Sequence, residues 1–249
     1  MLCTLLIHGP SLGIGAGIAA AIIIGALFVV NGSFQDISFK KEDIRDIQKS
    51  TANTENSDTQ APQKLQMSVL YENSSPILGN PNAPITIVEF GDYQCFFCNK
   101  FFHETENEIQ DNYIKTGKAK LIFKDFTIIG SDSVVAAHAA HCADEQRKFW
   151  EYHDILYTNW TGENNGWASP QNQLKFAKQL GLDENKFTEC MSSEKYKTKI
   201  QSSGEDAKSL GLTGTPAFFI IGENNKIIKV PGAQPYEVFA KILDSQDLK

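Results

Sequence analysis

Two cysteines, Cys95 and Cys98, are separated by two residues at a point where the sequence predicts the start of a helix. A thiolate at a helix N-terminus is stabilised by unpaired backbone N–H groups and by the positive end of the helix dipole, so its pKa falls. The first cysteine is then the nucleophile that attacks a partner's sulfur, and the second resolves the mixed disulfide. The spacing predicts thiol–disulfide exchange, although zinc sites and structural disulfides also use such pairs.

The residues around the pair predict a strand before it and a helix after it. The β-branched run Ile85–Phe90 is typical of a buried strand. In the helix, the apolar spacing places Cys98 on the buried side and Cys95 at the exposed tip. The predicted buried face consists of Cys98, Phe101, Phe102, Thr105 and Ile109.

One carboxyl group, that of Glu89, lies inside the apolar strand six residues before Cys95. A buried carboxyl without a partner has a raised pKa, which suits it to exchange a proton with Cys98. The alternative is a carboxylate at the strand end that reaches water.

The rest of the chain predicts an α/β core with a long helical insertion. Residues 119–126 form a second strand, and the strand–helix–strand order indicates a parallel, right-handed crossover. Residues 131–210 are almost wholly helical in pattern. Two strands at 217–221 and 226–230, joined by a hairpin, and a final helix at 236–243 complete the fold.

The first 66 residues differ in character from the remainder. Residues 12–30 are continuously apolar and long enough to cross a bilayer, so residues 1–30 are predicted to be a transmembrane anchor, with a cleavable signal peptide as the alternative. Residues 31–66 are polar and predict a flexible linker to the domain at 67–249. The basic residues Lys40, Lys41 and Arg45 follow the apolar run and by themselves favour a cytoplasmic domain.

Charge and cysteine content narrow the functional classes. A net charge of -7 without a run of Lys or Arg argues against nucleic acid as a partner. The predicted domain holds four of the five cysteines, an even number that suits an oxidising compartment, and we therefore expect it outside the cytoplasm. No metal is expected, because no second ligand pair is evident; we expect His138, His141 and His153 to be packing or surface residues.

Several separated motifs together resemble DsbA-like members of the thioredoxin superfamily, over nearly all of residues 67–249. They are the strand that leads into Cys95-Phe-Phe-Cys98, the strand end Phe123-Lys-Asp-Phe126, the helix Ala136–Ala143, the segment Lys148-Phe-Trp-Glu-Tyr-His153, and Gly214-Thr-Pro-Ala-Phe-Phe219. The resemblance implies a thioredoxin fold with a helical insertion.

The same resemblance implies roles for individual residues. It makes Cys95 the nucleophile, Pro216 a cis-proline that faces the cysteine pair, and Glu89 the buried acid behind the pair. It makes the backbone of Thr215 a pairing site for an extended substrate. It also implies a structural disulfide between Cys142 and Cys190, for which a resolving or shuttling pair is the alternative, and no cofactor beyond the redox-active disulfide.

The chain departs from the family's pattern between the two cysteines. Well-known oxidants have a histidine there, whereas Phe96 and Phe97 carry no charge, so the redox potential stays open. The two rings predict an apolar platform for substrates, or they pack against the insertion.

The resemblance, taken with the predicted anchor at residues 1–30, implies a membrane-tethered dithiol oxidase. It would introduce disulfides into reduced exported proteins and would be reoxidised by a membrane partner of the DsbB or vitamin-K-epoxide-reductase type. A reductase or isomerase of the same fold and a non-catalytic peptide-binding or chaperone module are the alternatives.

Overall fold

The computed structural model describes residues 67–249. The predicted transmembrane segment within residues 1–30 and the predicted linker at 31–66 lie outside the described residues. Within residues 67–249, no helix combines the length and the apolar character that crossing a membrane requires.

A four-stranded mixed sheet forms the centre of the described part. Its strands are β1 (Ile85–Gly91), β2 (Ala119–Asp125), β3 (Ala217–Ile221) and β4 (Ile227–Pro231), in the spatial order β2-β1-β3-β4. β1 and β2 run parallel, which confirms the predicted parallel arrangement, and β3 is antiparallel to β1 and β4. Because Phe90 pairs with Ala217, the end of β1 that leads to Cys95 lies beside Pro216 at the start of β3.

The helix after β1, called α1, contains two π-helical stretches. It consists of α-helical Phe96–Phe101, π-helical Phe102–Glu106, α-helical Asn107–Ile109 and π-helical Gln110–Ile114. All five residues of the predicted inner face are buried, which confirms that face. Glu106 is also buried, and π-helical turns are frequent at functional sites.

Five helices fill the predicted insertion between β2 and β3, and its helical character is confirmed. They are α2 (Ser131–Asp144), α3 (Phe149–Thr158), α4 (Pro170–Gln179), α5 (Glu184–Ser193) and α6 (Lys197–Ser209). Pro170 stands at the first position of α4, where its missing N–H has no consequence. The Asp183 side chain caps α5 by accepting two backbone N–H groups. Helix α7 (Tyr236–Leu243) and a 3-10 turn (Gln246–Leu248) end the chain.

The alternation of side chains along β1 divides the core between the two faces of the sheet. Ile85 and Ile87 pack with α1 and α7 on one face, whereas Val88 and Phe90 pack with α6 on the other. Glu89 follows the alternation of Ile85 and Ile87, so it lies on the α1 face. A third apolar cluster joins α2, α3, α4 and α5 to Cys98 and to Phe123 of β2. The cysteine pair therefore lies where the core of the insertion meets the sheet.

Two links fasten the insertion. Lys124 of β2 is fully buried, and its ammonium group lies 2.8 Å from the Asp206 carboxylate of α6. The same ammonium group donates to the backbone carbonyl of Glu72. Within the insertion, a disulfide between Cys142 and Cys190 joins α2 to α5.

Candidate active site

Cys95 occupies the position just before α1, and its side chain is buried. Its backbone carbonyl accepts from the Asn99 N–H at 3.0 Å, and its own N–H donates to the Asp92 carbonyl at 3.0 Å. Only 4% of Cys95 is exposed, so the prediction of an exposed tip is wrong. Cys95 is buried by a residue far away in the sequence, because the Thr215 carbonyl lies 3.4 Å from Cys95 Sγ. The spacing of residues within one helix cannot predict such a contact.

The two thiols have opposite pKa shifts. The pKa of the Cys95 thiol is lowered to about 6. The largest cause is the hydrogen bond that the Cys98 thiol donates to Cys95 Sγ. Burial opposes this shift, and the backbone N–H groups of Cys98 and Phe97 add to it. Burial raises the pKa of Cys98 well above its usual value, so Cys98 retains its proton when Cys95 has lost its own. Cys95 is therefore the thiolate nucleophile of the pair, and Cys98 is its protonated partner.

The peptide bond between Thr215 and Pro216 is cis, and it lies against the cysteine pair. The Pro216 carbonyl accepts from the Gly232 N–H at 3.0 Å, which fixes this turn to the end of β4. The Thr215 hydroxyl is buried without a hydrogen-bond partner among the described residues. The structure thus brings together Cys95, Thr215 and Pro216, which are far apart in the sequence.

Glu89 lies beneath the pair and is only 1% exposed, which excludes a carboxylate that reaches water. One of its oxygens, Oε2, has no hydrogen-bond partner among residues 67–249. Burial, then the negative charge of Glu106, then that of Cys95 raise its pKa well above the usual range. A neutral carboxyl at this place can give a proton to a sulfur or take one from it.

A buried polar cluster behind Cys98 was not predicted. It contains Glu106 of α1, which is 1% exposed, and His153 of α3, which is fully buried, with His153 Nε2 at 3.7 Å from Glu106 Oε2. Tyr93 OH is 3.2 Å from His153 Nδ1. The segment containing His153 was noted in the sequence, but only the π-helical turn that points Glu106 inward reveals the pairing.

The two phenylalanines between the cysteines are exposed. Phe96 and Phe97 are 50% and 55% exposed, and their ring centroids are 5.3 Å apart. The Trp160 ring of the insertion lies 5.9 Å from Phe96 and extends this apolar surface. The three rings form a platform next to Cys95, which favours the substrate-binding interpretation over burial against the insertion.

The loop after α3 is fastened directly to the residues on either side of Cys95. The buried Gln94 side chain accepts from the Asn164 N–H at 2.9 Å, and the Gln94 carbonyl accepts from Trp160 Nε1 at 2.8 Å. The Glu163 carboxylate accepts from the Phe96 N–H at 3.0 Å, at the first turn of α1. These contacts set the position of the nucleophile relative to the insertion.

The Cys142–Cys190 pair is bonded and lies away from these residues in the insertion. The loop that it closes spans a sequence separation of 48. His138 Nε2 lies 3.9 Å from Cys142 Sγ, but the disulfide uses both sulfurs, which leaves no thiolate there for a metal.

The three histidines are all buried, so the packing alternative holds for each of them and the surface alternative does not. His141 Nε2 lies 2.7 Å from the buried Asp125 carboxylate of β2. His153 and Glu106 form the second such pair. These histidines contact groups on other elements, and single-sequence patterns do not reveal such partners.

Comparison with known proteins agrees with this geometry. The family model described as thioredoxin matches residues 72–245. A protein of Bacillus cereus named probable disulfide bond formation protein D is 30% identical over 149 residues, which cover 58% of this chain and 69% of the relative. Disulfide bond formation protein D of Bacillus subtilis is 27% identical over 157 residues, covering 62% of this chain and 69% of that protein.

A solved structure of a Bacillus protein is also similar to this chain. The crystal structure of oxidised BdbD from Bacillus subtilis is similar to this chain with a TM-score of 0.62 and 25% identity, covering 70% of this chain and 92% of that one. The family match spans most of the chain, and the dithiol, the buried acid and the cis-proline turn lie together in the fold. The chain belongs to the thioredoxin family, and within it this protein is a DsbA-like thiol–disulfide oxidoreductase.

Proposed function

We propose that this protein is an extracytoplasmic dithiol oxidase, tethered to the membrane by its N-terminal segment, that passes the Cys95–Cys98 disulfide to reduced exported proteins. The observation that carries the proposal is the low pKa of Cys95, about 6, beside the raised pKa of Cys98. A stabilised thiolate favours the dithiol form of the enzyme, and that preference makes its disulfide oxidising.

The oxidation proceeds in two exchanges. A substrate thiolate attacks Cys95 Sγ, the Cys95–Cys98 bond breaks, and Cys98 leaves with the electron pair and takes a proton from Glu89. A second substrate thiolate then attacks the substrate sulfur of the mixed disulfide, and Cys95 leaves as its stabilised thiolate. The substrate gains a disulfide, and two electrons remain on the enzyme as the dithiol.

Reoxidation requires an acceptor for those two electrons. A membrane reoxidase of the DsbB or vitamin-K-epoxide-reductase type fits this role, because the predicted anchor at residues 1–30 would hold the domain near such a partner. The Bacillus relatives are named for disulfide bond formation, and a disulfide between Cys142 and Cys190 suits an oxidising compartment. These facts support the location and the partners proposed here.

The reduction potential of the Cys95–Cys98 pair tests the direction of electron flow. We expect equilibration with glutathione buffers to give a value above that of thioredoxin, about -270 mV, in the direction of DsbA, about -120 mV. A value at or below the thioredoxin figure would favour the reductase alternative.

Covalent trapping tests the role of each cysteine. In cells, Cys98→Ala should accumulate mixed disulfides between Cys95 and exported proteins, and Cys95→Ser should abolish them. If Cys95→Ser retained full function, the non-catalytic peptide-binding or chaperone alternative would replace the oxidase.

A further inference from the structure

An exposed carboxylate, that of Glu163, lies against the residue that follows the nucleophile in the chain. Glu163 Oε1 accepts from the Phe96 backbone N–H at 3.0 Å, and Phe96 is the direct neighbour of Cys95. Among the residues that the structure describes, Glu163 forms no ion pair, so no basic side chain there neutralises its charge. The exchange steps at Cys95 do not use this carboxylate.

The loop that carries Glu163 is fixed on both sides of this residue. Trp160 Nε1 donates to the Gln94 carbonyl at 2.8 Å, and the Asn164 N–H donates to the Gln94 side chain at 2.9 Å. Gln94 is itself fully buried. An exposed side chain usually loses conformational entropy when it is held in one place, but here the backbone is already fixed. The carboxylate is therefore held next to Cys95.

The residue types on either side of Glu163 suit the turn in this loop. Gly162 has a φ of 135°, which residues with a Cβ rarely adopt. Asn164 has a φ of 53°, which asparagine tolerates better than most residues do. The local sequence therefore favours the turn from which Glu163 reaches Phe96.

Other charged residues near the cysteine pair are either buried or paired. Asp92 and Glu89 are each 1% exposed. The Asp92 carboxylate accepts from three backbone N–H groups, those of Gln94, Ile128 and Ile129. Lys100, the nearest described basic residue to Cys95 along the chain, lies 3.7 Å from Glu104. Of these groups, Glu163 is the one that is both exposed and without an ion pair.

Cys95 and Glu163 use different N–H groups of the same turn. The backbone N–H groups of Cys98 and Phe97 stabilise the Cys95 thiolate, whereas the Phe96 N–H binds Glu163. A substrate that attacks Cys95 must therefore approach a fixed negative charge. Like charges repel and opposite charges attract at such a distance, even in water.

We propose that Glu163 determines the charge preference of the active site, favouring substrate cysteines that have lysine or arginine beside them and disfavouring anionic thiols. The inference rests on the proposed attack of a substrate thiolate on Cys95, and it adds a substrate class to that function. Glu163 makes and breaks no bond. It changes the rate at which the thiolate reaches Cys95 Sγ, while the Cys95–Cys98 bond breaks and Cys98 leaves with the electron pair.

The aromatic platform lies at the same turn as Glu163. Phe96, Phe97 and Trp160 form that platform, and Trp160 belongs to the same loop as Glu163. The favoured segments of unfolded substrates therefore combine apolar residues with a basic residue close to the cysteine.

Three small thiols of similar size and different charge test the inference on the full-length protein in a non-ionic detergent. They are cysteamine, which carries an ammonium group, 2-mercaptoethanol, which is neutral, and 3-mercaptopropionate, which carries a carboxylate. Acid-quenched flow, alkylation and peptide mapping give the rate at which each thiolate opens the oxidised Cys95–Cys98 pair at pH 7 and low salt. We expect Glu163→Gln to lower the ratio of the cysteamine rate to the 3-mercaptopropionate rate by about fivefold.

The variants separate the charge of Glu163 from its contact with the loop. Glu163→Gln keeps an oxygen that can accept from the Phe96 N–H, so the rate with 2-mercaptoethanol should stay within about twofold of wild type. Glu163→Lys reverses the charge and should lower the ratio further, to about a tenth of the wild-type value or less. Glu205→Gln, which removes an exposed acid on α6, is the matched control and should leave the ratio unchanged.

Salt and peptides extend the test. At 1 M NaCl the screening length falls to about 3 Å, so the ratios of wild type and Glu163→Gln should agree within about twofold. Two reduced peptides that differ only in lysine or glutamate beside the cysteine should show the same dependence on Glu163 at low salt.

An unchanged ratio in Glu163→Gln, an equal change with all three thiols, or the same change in Glu205→Gln would overturn the inference. A failure of the oxidase proposal would look different, because wild type itself would then have a reductase potential or would form no mixed disulfides in cells.

Discussion

Cys95 owes its reactivity to a neighbouring thiol more than to any charged side chain. Phe96 and Phe97 carry no charge, yet the pKa of Cys95 is lowered to about 6, with the Cys98 thiol as the largest cause. At the scale of single residues, an uncharged intervening pair is therefore compatible with a stable thiolate. Hydrogen-bond donors that belong to the fold of α1 replace the missing histidine.

Removing the Cys98 thiol should raise the pKa of Cys95. In Cys98→Ala the largest stabilising donor is lost while burial remains, so the pKa should rise from about 6 toward the free-cysteine value of about 8.5. The pH dependence of iodoacetamide alkylation in a Cys3→Ser background measures this pKa, and the bonded Cys142 and Cys190 do not react. An unchanged pKa would assign the stabilisation to Thr215 and to the backbone N–H groups of Cys98 and Phe97.

Glu89 should make the fold less stable as the pH rises. Its folded-state pKa is raised, so its contribution is fully favourable below the unfolded pKa of about 4.3 and is lost as the pH rises through the folded value. Urea unfolding of the oxidised protein should show Glu89→Gln gaining on wild type between pH 5 and pH 8, by about 1 to 3 kcal/mol at the upper end. A constant difference across this range would mean that Glu89 does not titrate in it.

At the scale of elements, the sequence predicts those features of the fold that depend on neighbouring residues. The strands, the crossover and the buried face of α1 follow from side-chain periodicity, which depends on neighbours a few residues away. The burial of Cys95 depends instead on Thr215, 120 residues distant, and the inward position of Glu106 depends on a π-helical stretch. Neither effect has a signature in a single sequence, so these parts of the site could not be predicted.

The disulfide between α2 and α5 should stabilise the insertion without setting the chemistry of the active site. A loop with a separation of 48 residues gives about 4 kcal/mol in the chain-entropy model, so Cys142→Ala with Cys190→Ala should lower the free energy of unfolding by about that amount. The reduction potential of the Cys95–Cys98 pair should stay unchanged in the double variant. A shifted potential would show instead that the second pair exchanges with the first.

At the scale of the whole molecule, an acidic protein presents an apolar platform beside its nucleophile. The net charge is -7, while Phe96, Phe97 and Trp160 form a continuous aromatic surface. Unfolded chains expose apolar residues around their cysteines, so we expect the platform to favour such chains over small polar thiols.

Substitution of the platform should separate these two classes of substrate. Phe96→Ser with Phe97→Ser should slow oxidation of an apolar cysteine-containing peptide by about tenfold, through loss of about 1.4 kcal/mol of contact. Glutathione, which is small and polar, should react within about twofold of the wild-type rate. Equal slowing of both reagents would show that the rings act on the cysteines and not on the substrate.

The contacts of Gln94 and Glu163 have a practical consequence for protein engineering. Two hydrogen bonds join the insertion to the residues on either side of Cys95. The Glu163 carboxylate accepts from the Phe96 N–H, and the Asn164 N–H donates to the Gln94 side chain. A chimera that exchanged the insertion for that of a relative would therefore replace part of the nucleophile's own surroundings. Grafting the Cys-Phe-Phe-Cys sequence alone into another scaffold would transfer the cysteines without the loop that holds them.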